Sequence, residues 1–226
     1  MARLSIFLGD RLVGSLSRHT KGIGKLRFQY DKDWLSDVGR PISLKLPCQE
    51  ETFPQGVSTA FFENLLPESD VRTILAFNKR FDKKDTYAFL KHFGQDCAGA
   101  LSIIPEGQEI DTRPWQYTEI TNDLIKALDA IQKRIRKGKR DVKLYSEIKP
   151  ARLSIAGAQD KLPVYYSDGK FFLPTNSGSA TTHIIKPISS LFHDIQRNEA
   201  FCMGLARRIG LRVPKSELYQ IGPHEL

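Results

Sequence analysis

Cysteine is scarce in this 226-residue chain: the three present, Cys48, Cys97 and Cys202, are odd in number, widely spaced and form no Cys-x-x-Cys pair. That pattern argues against a disulfide framework and a structural zinc site, and it fits a reducing cytoplasm best. Long apolar runs are missing as well. No stretch approaches the roughly 20 residues of a membrane-spanning helix. The opening Met-Ala-Arg-Leu-Ser begins a strand pattern where a signal peptide would need an apolar core. A soluble, unexported chain without a membrane partner is therefore expected. Two nucleotide-binding signatures are also absent: the Walker pattern, with four residues between its glycines and a following Gly-Lys-Ser/Thr, and the three-glycine dinucleotide fingerprint. There is no internal repeat and no long low-complexity segment.

What is present describes an ordinary globular chain, 40% hydrophobic and 27% charged, long enough to bury a core and to form one or two domains. Its formal charge of +8 suits an acidic partner, whether nucleic acid, an anionic protein or nucleotide phosphate. The charge is uneven. Nine basic residues (Lys133, Arg134, Arg136, Lys137, Lys139, Arg140, Lys143, Lys149 and Arg152) face two acids, Asp141 and Glu147, in one stretch. A solvated helix end accounts for such a run, since cations favour the negative end of the helix dipole. Contact with nucleic acid is the competing explanation.

Taken in order, Leu4 to Leu8 and Arg11 to Leu16 flank Gly9-Asp10 as a hairpin, and Leu26, Phe28 and Tyr30 alternate with polar residues as a half-buried strand does. Ile42 to Leu46 reads as a short strand. Ser58 or Thr59 is placed to cap a helix through Leu66, whose apolar face holds Phe61, Phe62, Leu65 and Leu66. Core packing explains the Phe-Phe-Glu-Asn-Leu-Leu-Pro-Glu run at 61–68 better than a site does. Asp85 to Phe93 is a further helix, and Ala100 to Ile104 a strand returning to the first sheet. Pro105 to Pro114 is the best linker. Leu124, Leu128, Ile131 and Ile135 then fall at helical spacing, with Thr121 or Asn122 as cap, and this helix ends in the basic run.

The stretch around which the chain is organised is Ala151 to Val164. An apolar strand runs into Ser154, a small-residue turn follows at Ala156, Gly157 and Ala158, and a second strand begins near Leu162. Glycine admits positive φ and lets backbone N–H groups approach an anion, so the backbone of Ile155, Ala156, Gly157, Ala158 and Gln159 can cradle phosphate. Further on, Thr-His-Ile-Ile-Lys-Pro places Lys186 at the end of a β-branched strand, within reach of the same phosphates. Asp194 to Ile209 is an amphipathic helix carrying Glu199, and protein kinases use a helical glutamate to hold the phosphate-binding lysine. Each piece alone has a bland explanation, a turn glycine or an edge-strand lysine. Loop, lysine and helical acid together come in the order of a kinase N-lobe.

Ser-Ile-Ala-Gly-Ala-Gln-Asp-Lys at 154–161, Thr-His-Ile-Ile-Lys-Pro at 182–187, Asn-Glu at 198–199 with Leu-Ala-Arg-Arg-Ile-Gly-Leu-Arg-Val-Pro at 205–214, and the 61–68 run resemble the HipA family. These are bacterial toxin serine/threonine kinases of toxin-antitoxin pairs. The resemblance spans nearly the whole chain but only the family's first half. It implies that Ser154 is the serine such kinases phosphorylate in their own loop and that Lys186 is their nucleotide lysine. It also implies ATP and Mg²⁺ in the complete protein, an antitoxin of HipB type, operator DNA reached through that antitoxin, and a protein substrate of the translation apparatus. The catalytic aspartate and the metal-binding groups belong to the family's other half, so no catalytic residue and no metal ligand is expected here.

The expected fold is α+β: an N-terminal antiparallel β unit with helices, followed by a kinase N-lobe-like β-sheet with a helix. The expected divisions are a HipA-type β/helical subdomain at 1–106, a linker and basic helix at 107–150, and a nucleotide-binding segment at 151–226 that stops before a hinge and C-lobe. Two functional readings stand. One is the N-terminal portion of a HipA-like kinase, inactive as this fragment and regulated by loop serine phosphorylation. The other is a stand-alone, non-catalytic binding module for an antitoxin or nucleic acid.

Overall fold

The computed structural model describes residues 2–18, 25–37, 39–67, 69–96, 101–111, 113–138, 144, 148, 161–176, 179–189 and 194–226. It is α+β, with antiparallel sheets and helices in each of two compact units, one within Met1–Pro114 and the other drawn from Trp115–Ala151 and Gln159–Leu226.

The first unit is built on strands β1 (Ala2–Leu8), β2 (Arg11–Arg18), β3 (Leu26–Tyr30) and β4 (Leu101–Pro105), in the order β3-β2-β1-β4 with every neighbouring pair antiparallel. Alternation along each strand sends one face inward. The register aligns Leu4 with Leu16, Leu16 with Phe28, and Ile6 with Ile103, all of them buried. At Gly14 the strands crowd so closely that a Cβ would lie 2.2 Å from the Gln29 carbonyl oxygen, which no side chain tolerates. The strand expected at Ile42 to Leu46 contracts to a single bridge between Ser43 and Leu46, because the chain turns back there. Buried Tyr30 fastens that turn: its hydroxyl accepts from the Ile42 N–H at 3.0 Å and donates to the Leu46 carbonyl at 2.6 Å.

Helices α1 (Lys32–Asp37), α2 (Gln55–Glu63), α3 (Ser69–Lys79) and α4 (Thr86–Phe93) complete this unit. Helix α2 starts directly after Pro54, so Ser58 and Thr59 lie inside it and cap nothing. Their hydroxyls serve the sheet. Ser58 Oγ accepts from the Phe28 N–H and Thr59 Oγ1 from the Leu26 N–H, each at 3.1 Å, satisfying outward donors of edge strand β3 that would otherwise go unpaired. The same helix stops at Glu63, short of the expected Leu66, with Leu65 and Leu66 in the tight turn that follows. Asp85 caps α4 by accepting from the Ala88 N–H at 3.1 Å. Arg72 of α3 bonds Glu63 at 3.1 Å and the Lys83 carbonyl at 2.7 Å, with its guanidinium over the Phe89 ring.

In the second unit, β5 (Tyr117–Glu119), β6 (Leu162–Ser167), β7 (Lys170–Pro174) and β8 (His183–Ile185) form an antiparallel sheet in the order β5-β7-β6-β8. The β6–β7 hairpin turns on Asp168 and Gly169, both at positive φ (52° and 76°), the conformation for which Asp-Gly is favoured between strands. Helix α5 (Thr121–Arg136) buries Leu124, Ala127, Leu128 and Ile131 in one core with Leu162, Val164, Phe171, Leu173 and Ile185. Neither Thr121 nor Asn122 caps it by side chain. The Thr121 hydroxyl accepts instead from the Phe171 N–H at 3.0 Å, stitching the helix start to β7. Helix α6 (Ile195–Arg208) follows, then a hairpin of β9 (Gln220–Ile221) and β10 (His224–Glu225).

Candidate functional site

The site is built on the rim of the second sheet. Strand β8 pairs with β6 in a register that sets Ile185 against Leu162, and Ile185 is buried. The period of two turns Ile184 and Lys186 to the other face, where Ile184 is 54% exposed. Lys186, immediately after the strand, extends its ammonium to the Glu199 carboxylate of α6, and both side chains are about one-third exposed (28% and 34%). Partly exposed ion pairs contribute on the order of 1 kcal/mol or less to stability. The consequence of this one is therefore positional: a flexible four-carbon chain is held in one direction while remaining open to solvent on one side.

Helix α6 is itself held by charge more than by apolar packing. Arg197 Nε donates to Glu225 Oε1 at 2.6 Å, and Nη1 lies 3.5 Å from Asp194 at the helix start. Both carboxylates raise the Arg197 pKa further, the Glu225 hydrogen bond contributing most. On β10, the neighbouring His224 is buried and its Nε2 lies 2.8 Å from Asp129 Oδ1 of α5. Two short contacts through the β9–β10 hairpin thus relate α6 to α5. No residue of α6 belongs to the core cluster of this unit among the described residues. Its apolar stripe faces solvent: Phe201 is 68%, Leu205 51% and Ile209 69% exposed, one turn apart along the helix, with Leu211 at 58% beyond it. Amphipathicity is legible from sequence, but Gln196 is the one buried residue of α6 among the described residues, with Ala200, Met203 and Ala206 half-buried.

Ser154, Ile155, Ala156, Gly157, Ala158 and Gln159, the residues read as the phosphate cradle and the phosphorylated serine, lie outside the described residues. Of the named site residues, Lys186 and Glu199 are described, and they meet. The sequence reading did not reach Arg197, Glu225, Asp129 or His224. Arg197 stands two residues before Glu199, but its partner is 28 residues away and carries no local signal. Among the described residues no group of three or more His, Cys, Asp or Glu side chains is arranged to hold a metal ion, and no helix is long and apolar enough to cross a membrane.

The described residues thus define a two-unit α+β protein whose second unit carries a strand-end lysine paired with a helical glutamate. Two family models match it, the HipA N-terminal domain over residues 4–104 and the HipA-like C-terminal domain over residues 153–226. The chain belongs to the HipA family. A putative kinase of Sinorhizobium fredii (strain NBRC 101917 / NGR234), Y4mE, is 36% identical over 220 residues, covering 95% of this chain and 50% of the relative. The serine/threonine-protein kinase toxin HipA of Shewanella oneidensis is 30% identical over 225 residues, 98% of this chain and 48% of its own length. A second putative kinase of the same Sinorhizobium strain, Y4dM, is 26% identical over 208 residues, 88% of this chain and 45% of the relative. The chain spans about half the length of these curated relatives.

Proposed function

We propose that this chain supplies the nucleotide-phosphate-binding portion of a HipA-like serine/threonine kinase toxin of a toxin-antitoxin pair. The observation that carries the reading is the Lys186–Glu199 ion pair on the sheet rim. Phosphoryl transfer depends on positioned phosphates and neutralised charge. A lysine held by a carboxylate yet partly open to solvent fits an ATP phosphate: Lys186 would neutralise the α/β-phosphates, Glu199 would aim Lys186, and the backbone of 155–159 would cradle the remaining oxygens. Mg²⁺ would be held by groups outside these residues. The elements nearest this chemistry belong to 151–226, while β5 and α5 contribute the strand and the core helix that support them.

The same reading takes residues 1–106 as the HipA-type β/helical subdomain and assigns Ser154 as the regulatory phosphorylation site. Its partners are an antitoxin of HipB type, operator DNA through that antitoxin, and a protein substrate of the translation apparatus, in a cytoplasmic setting. Residues that accept the substrate proton come from the half of the relatives' length that has no counterpart here, so the chain alone is inactive. The solvent-facing stripe of Phe201, Leu205 and Ile209 supports this, being the kind of face that a further polypeptide covers. It equally favours the second reading, a non-catalytic module that binds an antitoxin.

The test joins this chain to the remaining half of a HipA-family kinase and measures ATP affinity and phosphotransfer with Lys186→Ala and Glu199→Gln. Loss of both properties with Lys186→Ala supports the kinase reading. Unchanged ATP affinity in both variants removes it and leaves the binding module.

A further inference from the structure

At the corner of the first unit where α3 passes into α4, the chain exposes a set of groups that the phosphate-site reading does not use. Phe77 of α3 is 82% exposed and makes no ring contact among the described residues, although Phe81, four residues on, packs edge-on against Phe89 with centroids 4.7 Å apart. Near Phe77 in sequence come Lys79 and Arg80 at the end of α3, Lys83 and Lys84 in the connecting turn, and Lys91 on α4; all are exposed and make no ion pair among the described residues. The nearby acids are engaged otherwise: Asp85 is bound to Arg18 at 2.9 Å, and Asp82 accepts from the Lys84 backbone N–H at 2.8 Å. The two sides of the corner meet where Phe81, just beyond α3, stacks on His92 of α4 with ring centroids 5.5 Å apart.

The helix dipole accounts for cations in the last turn of α3. It accounts likewise for Lys91 in the last turn of α4, but neither for Lys83 and Lys84 in the connecting turn nor for the phenyl ring of Phe77 left in water. We propose that this corner binds a single-stranded nucleic acid, its phosphates meeting Lys79, Arg80, Lys83, Lys84 and Lys91 while an unpaired base stacks on Phe77. The charge is complementary to a polyanion. The ring selects the form of polyanion: an unpaired base offers a whole face for stacking, whereas the bases of a duplex are already stacked on one another. An acidic protein segment satisfies the cations as well but gives a lone exposed ring no comparable partner. These residues belong to the first compact unit, whereas Lys186 and Glu199 belong to the second, so the proposal stands or falls independently of the kinase reading.

Fluorescence anisotropy with the whole chain tests it, using a labelled oligothymidylate of about 15 nucleotides, a duplex of similar length and a poly-glutamate peptide. The oligothymidylate should bind more tightly than the duplex or the peptide, and its affinity should fall steeply between about 50 and 200 mM salt. Lys83→Ala with Lys84→Ala should reduce the slope of log affinity against log salt by about 1.4, two contacts at about 0.7 each. Phe77→Ala should weaken single-strand binding about tenfold and leave duplex binding unchanged, with an unaltered melting temperature showing that the exposed position tolerates the change. Lys133→Glu with Arg136→Glu, on α5, should leave the Phe77 effect intact. No single-strand binding at the lower salt, an affinity indifferent to Phe77→Ala, preference for poly-glutamate, or loss through the α5 variant alone would each overturn the proposal.

Discussion

Lys186 at the rim of the second sheet and Glu199 on α6, 13 residues apart, form an ion pair that both leave partly open to solvent. Fourteen residues of helix are thereby tied to the sheet near their N-terminal end, while Phe201, Leu205 and Ile209 stay outside. The arrangement ties the direction of one ammonium group to the placement of one helix.

In a polypeptide joining this chain to a catalytic half, Lys186→Ala should lower kcat/KM for ATP by about 100-fold or more, the usual loss when a charge-stabilising group is removed from a transition state. Glu199→Gln keeps the lysine but releases its direction, so its loss should be smaller, about tenfold. Steady-state kinetics on both variants checks the order. Equal losses would mean that Glu199 does more than aim the lysine.

Phosphorylation of Ser154 should weaken ATP binding by that joined polypeptide. A phosphate adds a charge of about −1.5 to −2 beside the turn proposed to receive nucleotide phosphate, so two anions compete for one set of N–H groups. Titration of ATP against the free, phosphorylated and Ser154→Ala forms measures it. The alanine form should bind like the free one, and equal affinity of the free and phosphorylated forms would rule out this regulation.

The 226-residue chain by itself should transfer no phosphate. Incubation with ATP, Mg²⁺ and a cell extract, followed by counting incorporated label, checks this. Incorporation that disappears with Lys186→Ala would contradict it.

Ser58→Ala should destabilise the first unit by about 1–3 kcal/mol, because the buried Phe28 N–H loses its acceptor while water cannot reach it. Ser36→Ala, on the exposed face of α1, should stay within about 0.5 kcal/mol. Urea unfolding of the two variants gives the comparison.

His92 should make stability fall on mild acidification. Burial against its neighbours lowers its pKa below 6.5, and Lys79 and Lys91 lower it further. A base whose folded pKa is depressed binds fewer protons folded than unfolded in that window. Stability is therefore full above the unfolded value of about 6.5 and declines as pH drops through it toward the folded pKa. His92→Gln should flatten that part of the stability curve, read from thermal unfolding between about pH 7.5 and 5.

Several elements were legible in the sequence because their causes are local. Alternation wrote the first hairpin and β3, and the spacing of Leu124, Leu128 and Ile131 marked α5. The Lys186–Glu199 ion pair was legible for a different reason: a strand-end lysine and a helical acid come in the order of a kinase N-lobe. Other features were decided only by tertiary structure. Ser58 and Thr59 have the chemistry of helix caps, and nothing nearby in sequence says that their hydroxyls meet Leu26 and Phe28, some 30 residues away, on an edge strand. Thr121 Oγ1 likewise accepts from the Phe171 N–H in place of a donor of its own helix. The apolar stripe of α6 is visible as periodicity, but periodicity states that a face exists and not which way it turns. In the structure Gln196 is buried and Phe201, Leu205 and Ile209 stand in solvent, while Arg197 on the same helix reaches Glu225, 28 residues away. A side chain's chemistry is carried by its own residue, whereas its partner is set by where distant segments of the chain come together.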